Sequence, residues 1–524
     1  MISRRALLAA STLALLPRAF AADTGVLRRG NRYEPGSLDP HKINTTYEGA
    51  IILDLFEGLV AFNADGLAVP GLAVSWSVSP DGKLYTFFLR DKLTWSDGKE
   101  MTAYDFIESF RRLLDPKTAS PAAQLFYGIK NARAVNKGEM PPEKLGVLTA
   151  EGADLMINLE APVPYLPQLL ASPASVILPQ HAITQHGDAW AKPGNMVSSG
   201  AFTLEAWRPN EVISLAKNPR YHAAASVKLA RVDYVPTEDV NAGLTRFRAG
   251  DLDTQLDLPP SQLEKLKTDL PAETHLTPSL LTYYLALNTS VPKLADKRVR
   301  RALSLAIDRD ILTAKVLRGG EQPAFSFVPP LVAGYTPARM DFAEKETEAR
   351  LLEARRLLGE AGYGAGKPFT ISYAHSSNLE LRRIAVIIAG MWKRVGVVTT
   401  LGNTEGRVHF SNLRQGSFEA AFVGWQADFN DAAGFLTVLE SAPNPSNYAR
   451  YHNPAYDALL REAGASDNAA ARAGLLRDAE ALVLTDQPII PLYYGVSKNL
   501  VARRVAGWKD NAADVHLSRY LSLV

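Results

Sequence analysis

The chain has 524 residues and is 47% hydrophobic, more apolar content than one core can hold, so two or three packed lobes are expected. Its 57 Lys and Arg against 55 Asp and Glu leave a formal charge of +2, and it has no cysteine. That balance gives no electrostatic case for nucleic acid, and the missing cysteines exclude disulfides, thiol catalysis and thiolate metal sites.

Met1 to Ala22 reads as a secretory signal. Arg4 and Arg5 form the basic head, Ala6 to Leu16 is an apolar run of 11 residues, and Ala19-Phe20-Ala21 is a small-x-small cleavage site. The run is too short to span a bilayer, which takes about 20 apolar residues. Ser3-Arg4-Arg5-Ala6-Leu7-Leu8 also resembles a twin-arginine signal, and both export routes stay open. No cysteine follows the cleavage site, so no lipid anchor is expected. The signal carries Arg4, Arg5 and Arg18 and no acid, so removing it leaves about −1. No later segment is long and apolar enough to cross a membrane.

Strand and helix patterns alternate irregularly, which argues for a mixed α/β fold. Ser79-Pro80-Asp81-Gly82 is a turn, Leu84 to Leu89 a strand and Ser96-Asp97-Gly98 the next turn. Thr102 caps a helix with Asp105 three residues on, and Pro116 lies just past its end. Asp296 caps a second helix through Val299, Leu303 and Ile307. A third runs through Leu381, Ile384, Ile388 and Trp392 and closes near Gly396. Phe418 to Val423 alternates as a strand and is expected to deliver Gly424 and Trp425 to its C-terminal end, where α/β proteins favour ligand sites.

Several motifs are weaker than they look. Gly362-x-Gly364-x-Gly366-Lys367 follows a helix rather than a strand and precedes Pro368, so it reads as a helix-end turn and not a phosphate loop. His181 and His186 are five apart, and His375 and His409 are isolated. None of the nine histidines has a metal-ligand spacing. Ser198-Ser199-Gly200 precedes a strand and fits a turn better than a nucleophile. Glu238 and Asp239 read as solvated. No catalytic constellation, metal site or cofactor site is expected. Gly424-Trp425-Gln426-Ala427-Asp428-Phe429-Asn430 is different: an acid stands beside a large aromatic and a glycine, a setting that suits a positive ligand group. Helix capping or a plain surface position is the competing role for Asp428.

A set of fragments in fixed order resembles the periplasmic oligopeptide-binding proteins, the large solute receptors of ABC peptide importers. They are Ser37-Leu38-Asp39-Pro40-His41-Lys42, Asp54-Leu55-Phe56-Glu57-Gly58-Leu59, Trp95-Ser96-Asp97-Gly98 and Thr102-Ala103-x-Asp105-Phe106. Further on come Asp115-Pro116-x-Thr118-Ala119-Ser120-Pro121, Pro162-Val163-Pro164-Tyr165, Asp296-x-Arg298-Val299-Arg300-x-Ala302-Leu303 and Gly424-Trp425-x-Ala427-Asp428. The resemblance implies a periplasmic binding protein-like fold (type II, cluster C) with two main lobes and an inserted one. Lobe I is expected over 23–56, 180–280 and 497–524, lobe II over 57–179, and lobe III over 281–496. It implies a periplasmic monomer without a membrane anchor that captures peptides in a closing cleft and passes them to a membrane permease. In the family the Asp of Gly-Trp-x-Ala-Asp holds the peptide's α-amino group, and Asp428 inherits that role. Asn44, Thr46, Tyr284, Gly424, Trp425 and Tyr494 are expected to line the cleft, with Phe422 and Glu405 on its pocket walls.

The departures bear on the ligand. Well-known oligopeptide binders carry an Arg where Phe422 stands, a Trp where Gly406 follows Asn403-Thr404-Glu405, and a His where Leu381 stands. Those basic groups can meet a peptide's terminal carboxylate. Some relatives also carry a cysteine pair near Leu281 and Gln426, absent here. A murein peptide, an opine-like conjugate, a metal chelate or a sterol-like acid therefore stay open as ligands, and a periplasmic peptide hydrolase is the remote alternative.

Overall fold

A computed structural model describes residues 25–43, 45–149, 154–441 and 444–524. The expected signal, Met1 to Ala22, and the expected site residue Asn44 lie outside the described residues. The architecture is mixed α/β, built on one 11-stranded sheet.

In chain order the sheet's strands are β1 (Val26–Asn31), β2 (Phe202–Arg208), β3 (Val212–Lys217), β4 (Arg231–Pro236), β5 (Thr254–Leu256), β6 (Thr274–Leu287), β7 (Gln322–Pro323), β8 (Phe369–Ser376), β9 (Val397–Thr404), β10 (Ala420–Gln426) and β11 (Ile489–Val501). In space they run β9-β8-β10-β6-β11-β5-β1-β4-β3-β2, with β7 on β11. β6 and β11 form the long spine, antiparallel from Thr274↔Leu500 to Ala286↔Ile489. Both are rich in β-branched and aromatic residues, and β11 is buried along most of its length, as a central strand requires. Their pairing is irregular between Pro278 and Thr282, because proline has no N–H for the ladder, and slips again between Tyr283 and Tyr284.

At one end of the spine, one face of the sheet packs Leu285, Val299, Leu303, Ile388 and Trp392, and the opposite face packs Tyr284, Phe327, Phe435 and Tyr456. At the other end Leu27, Ile52, Phe202 and Tyr234 form a separate core. A further core (Trp95, Phe106, Phe110, Phe126) belongs to a four-stranded sheet that includes Leu84–Leu89, and to α2 (Ala103–Leu114). The Thr102 N–H donates to the Asp105 carboxylate at 2.9 Å, closing the expected capping box of α2. Asp296 caps α3 (Lys297–Leu305), and Asn378 caps α4 (Leu379–Lys393). Gly362, at φ +85°, ends the Thr347–Glu360 helix in a turn, so the glycine run cradles no phosphate.

One strand expectation needs correction. β10 runs from Ala420 to Gln426 and not from Phe418 to Val423, so Gly424 and Trp425 stand at its C-terminal end as part of the strand itself. The reason is nonlocal: Leu281 to Leu287 of β6 pair with every residue from Gln426 back to Ala420.

Candidate functional site

A cavity of about 500 Å³ opens where the cores meet, within the range that encloses small organic ligands. Its walls come from the end of β1 (Arg29, Arg32), the helix α1 (Thr46–Leu55), the turn 65–68 and the stretch 168–173. The segment 426–430 after β10, and residues 512–517 near the C-terminus, complete it. Its charges are mostly spent internally. Arg29 is buried and donates to Tyr234 Oη and, at 2.7 Å, to the His516 carbonyl. Arg32 pairs with Asp257, Lys498 with Glu321 at 2.6 Å, and Lys509 with Asp65 at 3.0 Å.

Asp428 is the exception. Among the described residues its carboxylate has no hydrogen bond and no ion pair. Its side chain is exposed on the cavity wall, and the protein mass around the cavity partly desolvates it. That desolvation raises its pKa above the ordinary aspartate value. The capping alternative falls to Asp431, which accepts from the Ala433 N–H at 2.8 Å and grips Arg472 through both oxygens.

The backbone beside Asp428 is open as well. β10 meets β8 only at Ala420 and Ala421, so its outer edge is unpaired from Phe422 onward. The Ala427 N–H donates to Leu280 O on the β6 side. Main-chain groups alternate along an antiparallel pair, so those of Trp425 and Val423 also face β6, while those of Gln426, Gly424 and Phe422 face the open edge. His409, on α5 (Gly406–Gln415), has its Nε2 at 3.0 Å from the Phe422 carbonyl. Burial lowers its pKa, so the neutral ring donates there from Nε2. Gly424 and Gln426 remain free to pair with an extended guest.

The other expected site residues divide. Thr46 lines the cavity at the exposed start of α1. Gly424 is exposed, with the Tyr283 ring so close that a Cβ would meet it at 2.8 Å. Trp425 does not line the cavity. Its indole N–H donates to Gly434 O at 2.8 Å and its ring packs on the Phe327 and Phe435 core, bracing the short helix Ala433–Leu436. Tyr284 is a correction: it is 1% exposed and its ring sits edge-on to Phe327. Tyr494 is another, buried with its hydroxyl against Ser326. Phe422 is buried, stacked on Tyr283 and tilted against Tyr493, so it backs the wall instead of forming its surface. Glu405 caps α5, accepting from the Arg407 and Val408 N–H groups, and is not a cavity residue.

Sequence reasoning missed Arg32, Asp257, Phe429 and Asn430, which line the cavity, and Tyr283, which faces Gly424. The available signal was strand alternation: adjacent tyrosines point to opposite faces of the sheet, so Tyr283 and Tyr284 cannot line the same wall. His375 and His409 are structural, both buried and hydrogen-bonded to carbonyls. Leu281 and Gln426 stand directly opposite each other across β6 and β10.

Comparison with known proteins finds relatives along nearly the whole chain. The family model for bacterial extracellular solute-binding proteins, family 5 Middle, matches residues 68–471. The chain is 38% identical to the periplasmic oligopeptide-binding protein OppA of Escherichia coli K12, over 97% of this chain and 96% of the relative. It is 37% identical to the probable deoxycholate-binding periplasmic protein YgiS of the same organism, over 92% and 90%. The solved structure of the Escherichia coli murein tripeptide-binding protein MppA superposes with a TM-score of 0.84 at 37% identity, covering 96% of this chain and 99% of that one. The chain belongs to the bacterial extracellular solute-binding proteins of family 5.

Proposed function

We propose that this protein is a periplasmic receptor that captures peptides by their free amino end and hands them to the membrane permease of an ABC importer. It acts without chemistry on the ligand. The observation that carries the reading is the unpaired Asp428 carboxylate at the end of an open-edged strand. A confined anion without a partner is costly, and an ammonium group of a ligand relieves it. The free main-chain groups of Gly424 and Gln426 bind an extended guest whatever its side chains. The expected export signal and the periplasmic relatives support a periplasmic site of action.

On this reading lobe I (23–56, 180–280, 497–524) and lobe III (281–496) close on the ligand about β6 and β11, with lobe II (57–179) as an insertion. Peptide selects the closed arrangement from an existing equilibrium. A micromolar Kd corresponds to about −8 kcal/mol, much of it from backbone pairing.

Titration calorimetry tests the amine anchor. A free peptide should bind tens-fold more tightly than its N-acetylated form, since stranding one member of a desolvated charge pair costs about 2–5 kcal/mol. Equal affinities would refute the reading. Native mass spectrometry of protein purified without denaturation separates peptide from murein peptide, opine-like conjugate, metal chelate or sterol-like acid. Release of cleaved product on long incubation would favour a hydrolase instead.

A further inference from the structure

Along β10, beyond the amine anchor, the cleft wall changes character. Tyr283 lies over Gly424, its ring 4.8 Å from Tyr493 and 5.6 Å from Phe422. Tyr493 is 2% exposed, and among the described residues its hydroxyl has no hydrogen-bond partner. Its ring sits against Tyr283, with Phe422 beyond at 6.5 Å. The Tyr283 hydroxyl is likewise unpartnered.

Acids flank these rings. Glu321 pairs with Lys498 and accepts the Gly319 N–H at 2.8 Å. Glu380, in the first turn of α4, is half-buried and, among the described residues, has neither a hydrogen bond nor an ion pair. Burial raises its pKa; Lys498 and the exposed Arg383 act against that, and Glu321 with it. After burial, the charges of Glu380, Asp257 and Glu321 hold the Tyr283 hydroxyl up at about 12, and burial, Tyr283, Glu380 and Glu321 raise Tyr493. The phenols therefore stay neutral at physiological pH. Of the acids here, Asp257 is paired with Arg32 and Glu321 with Lys498, while Glu380 has no ion pair among the described residues and feels the exposed Arg383 only at longer range.

We propose that Tyr283 and Tyr493, backed by Phe422 and flanked by Glu380 and Glu321, form a subsite for a second positive charge on the ligand, such as a lysine, arginine or diamino-acid side chain. The proposal rests on the amine-anchor reading above. The Tyr283 ring, phenol oxygens without a partner and a carboxylate outside any ion pair together favour a cation over a carboxylate. Four residues of strand separate Asp428 from Gly424, about 13 Å at roughly 3.3 Å per residue. An extended guest anchored at Asp428 reaches Tyr283 with its third or fourth residue. A terminal carboxylate arriving there would find Lys498 already committed to Glu321.

The test uses the full mature protein and tetrapeptides of alanine carrying lysine, norleucine or glutamate at position 3 or 4. At one position at least, lysine should bind about tenfold more tightly than norleucine, and glutamate more weakly than either. At that position Glu380→Gln and Tyr493→Phe should each shrink the lysine-to-norleucine ratio. A tripeptide amide should bind more tightly than the same tripeptide acid. Equal affinity for lysine and norleucine at both positions on the wild-type protein overturns the proposal, and so does a ratio untouched by Glu380→Gln. N-acetylating the lysine peptide separates the two claims. If acetylation weakens binding while lysine and norleucine tie, only the cation subsite fails; if acetylation changes nothing, the anchor itself fails.

Discussion

Phe429, one residue after Asp428, stacks on Tyr165 with ring centroids 4.2 Å apart and planes 4° from parallel. The contact joins the segment after β10 to the core that contains Trp95 and Phe106. Asn430 reinforces it, donating its N–H to the Gln168 side chain at 2.6 Å and accepting the Ala333 N–H at 3.0 Å. The two sides of the cavity thus touch directly beside the carboxylate that would hold the ligand.

That stack should set residence time. Phe429→Ala and Tyr165→Ala should each weaken peptide binding about three- to tenfold, chiefly by faster release, since such aromatic pairs add about 0.5–1.5 kcal/mol beyond their buried area. The double variant should lose less than the sum of the singles. Stopped-flow release with a labelled peptide measures this, and additive losses would show that the rings do not act on each other.

Asp428 should oppose folding while it serves binding. Its folded pKa lies above the unfolded value, so the folded protein is penalised for ionising it, and that penalty is present above its folded pKa and fades as pH falls through it. Asp428→Asn should therefore raise the melting temperature of the ligand-free protein near neutral pH and weaken free peptides by tens-fold. Bound ammonium favours the ionised form, so affinity should fall with acidification through the raised pKa, and binding should release protons in that window. Calorimetry in buffers of different ionisation enthalpy reads the release directly.

Glu480 offers a second pH signature. It sits fully buried on the helix Ala469–Asp486 and accepts from the Phe327, Val328 and Ala338 N–H groups and the Tyr335 hydroxyl. Burial outweighs these donors and pushes its pKa up to about 7. The folded state thus binds its proton more tightly than the unfolded chain, so its contribution to stability declines as pH rises from about 4.5 to 7. Glu480→Gln should flatten that part of the stability profile. Glu480→Ala should cost several kcal/mol, because four buried donors lose their acceptor. Denaturant melts across this range check both.

Leu281 and Gln426 face each other across β6 and β10, at a position where the strands exchange no hydrogen bonds with each other. The double variant Leu281→Cys, Gln426→Cys should oxidise spontaneously, since directly opposed residues fall within the Cα separation a disulfide needs. Closing so long a loop should stabilise the protein by about 2–5 kcal/mol. A thiol titration of the unfolded, unreduced variant should find no free cysteine; two free thiols would place the strands out of this register.

Much of the fold was legible because its signals are local. Thr102 with Asp105, Asp296 and the Ser79–Gly82 turn act on neighbours a few residues away, so the Leu84–Leu89 strand and the helix starts follow from the chain itself. The site was less legible. Glu405 looked like a pocket acid because its role as a cap depends on where α5 begins. Trp425 looked like a cleft wall because its partner, the Gly434 carbonyl, is set by a turn after the strand.

From residue order alone came the α/β class, the family resemblance and the singling out of Asp428, whose flanking glycine and aromatics mark it without reference to anything distant. Tertiary structure decided which face each side chain took. Tyr283 fronts the open edge of β10 while Tyr284 and Tyr494 fill cores, and the slips at Pro278 and between Tyr283 and Tyr284 set that choice. Facing in a sheet has a period of two, so a single slip against a strand some two hundred residues away reverses it, and no local pattern records the slip.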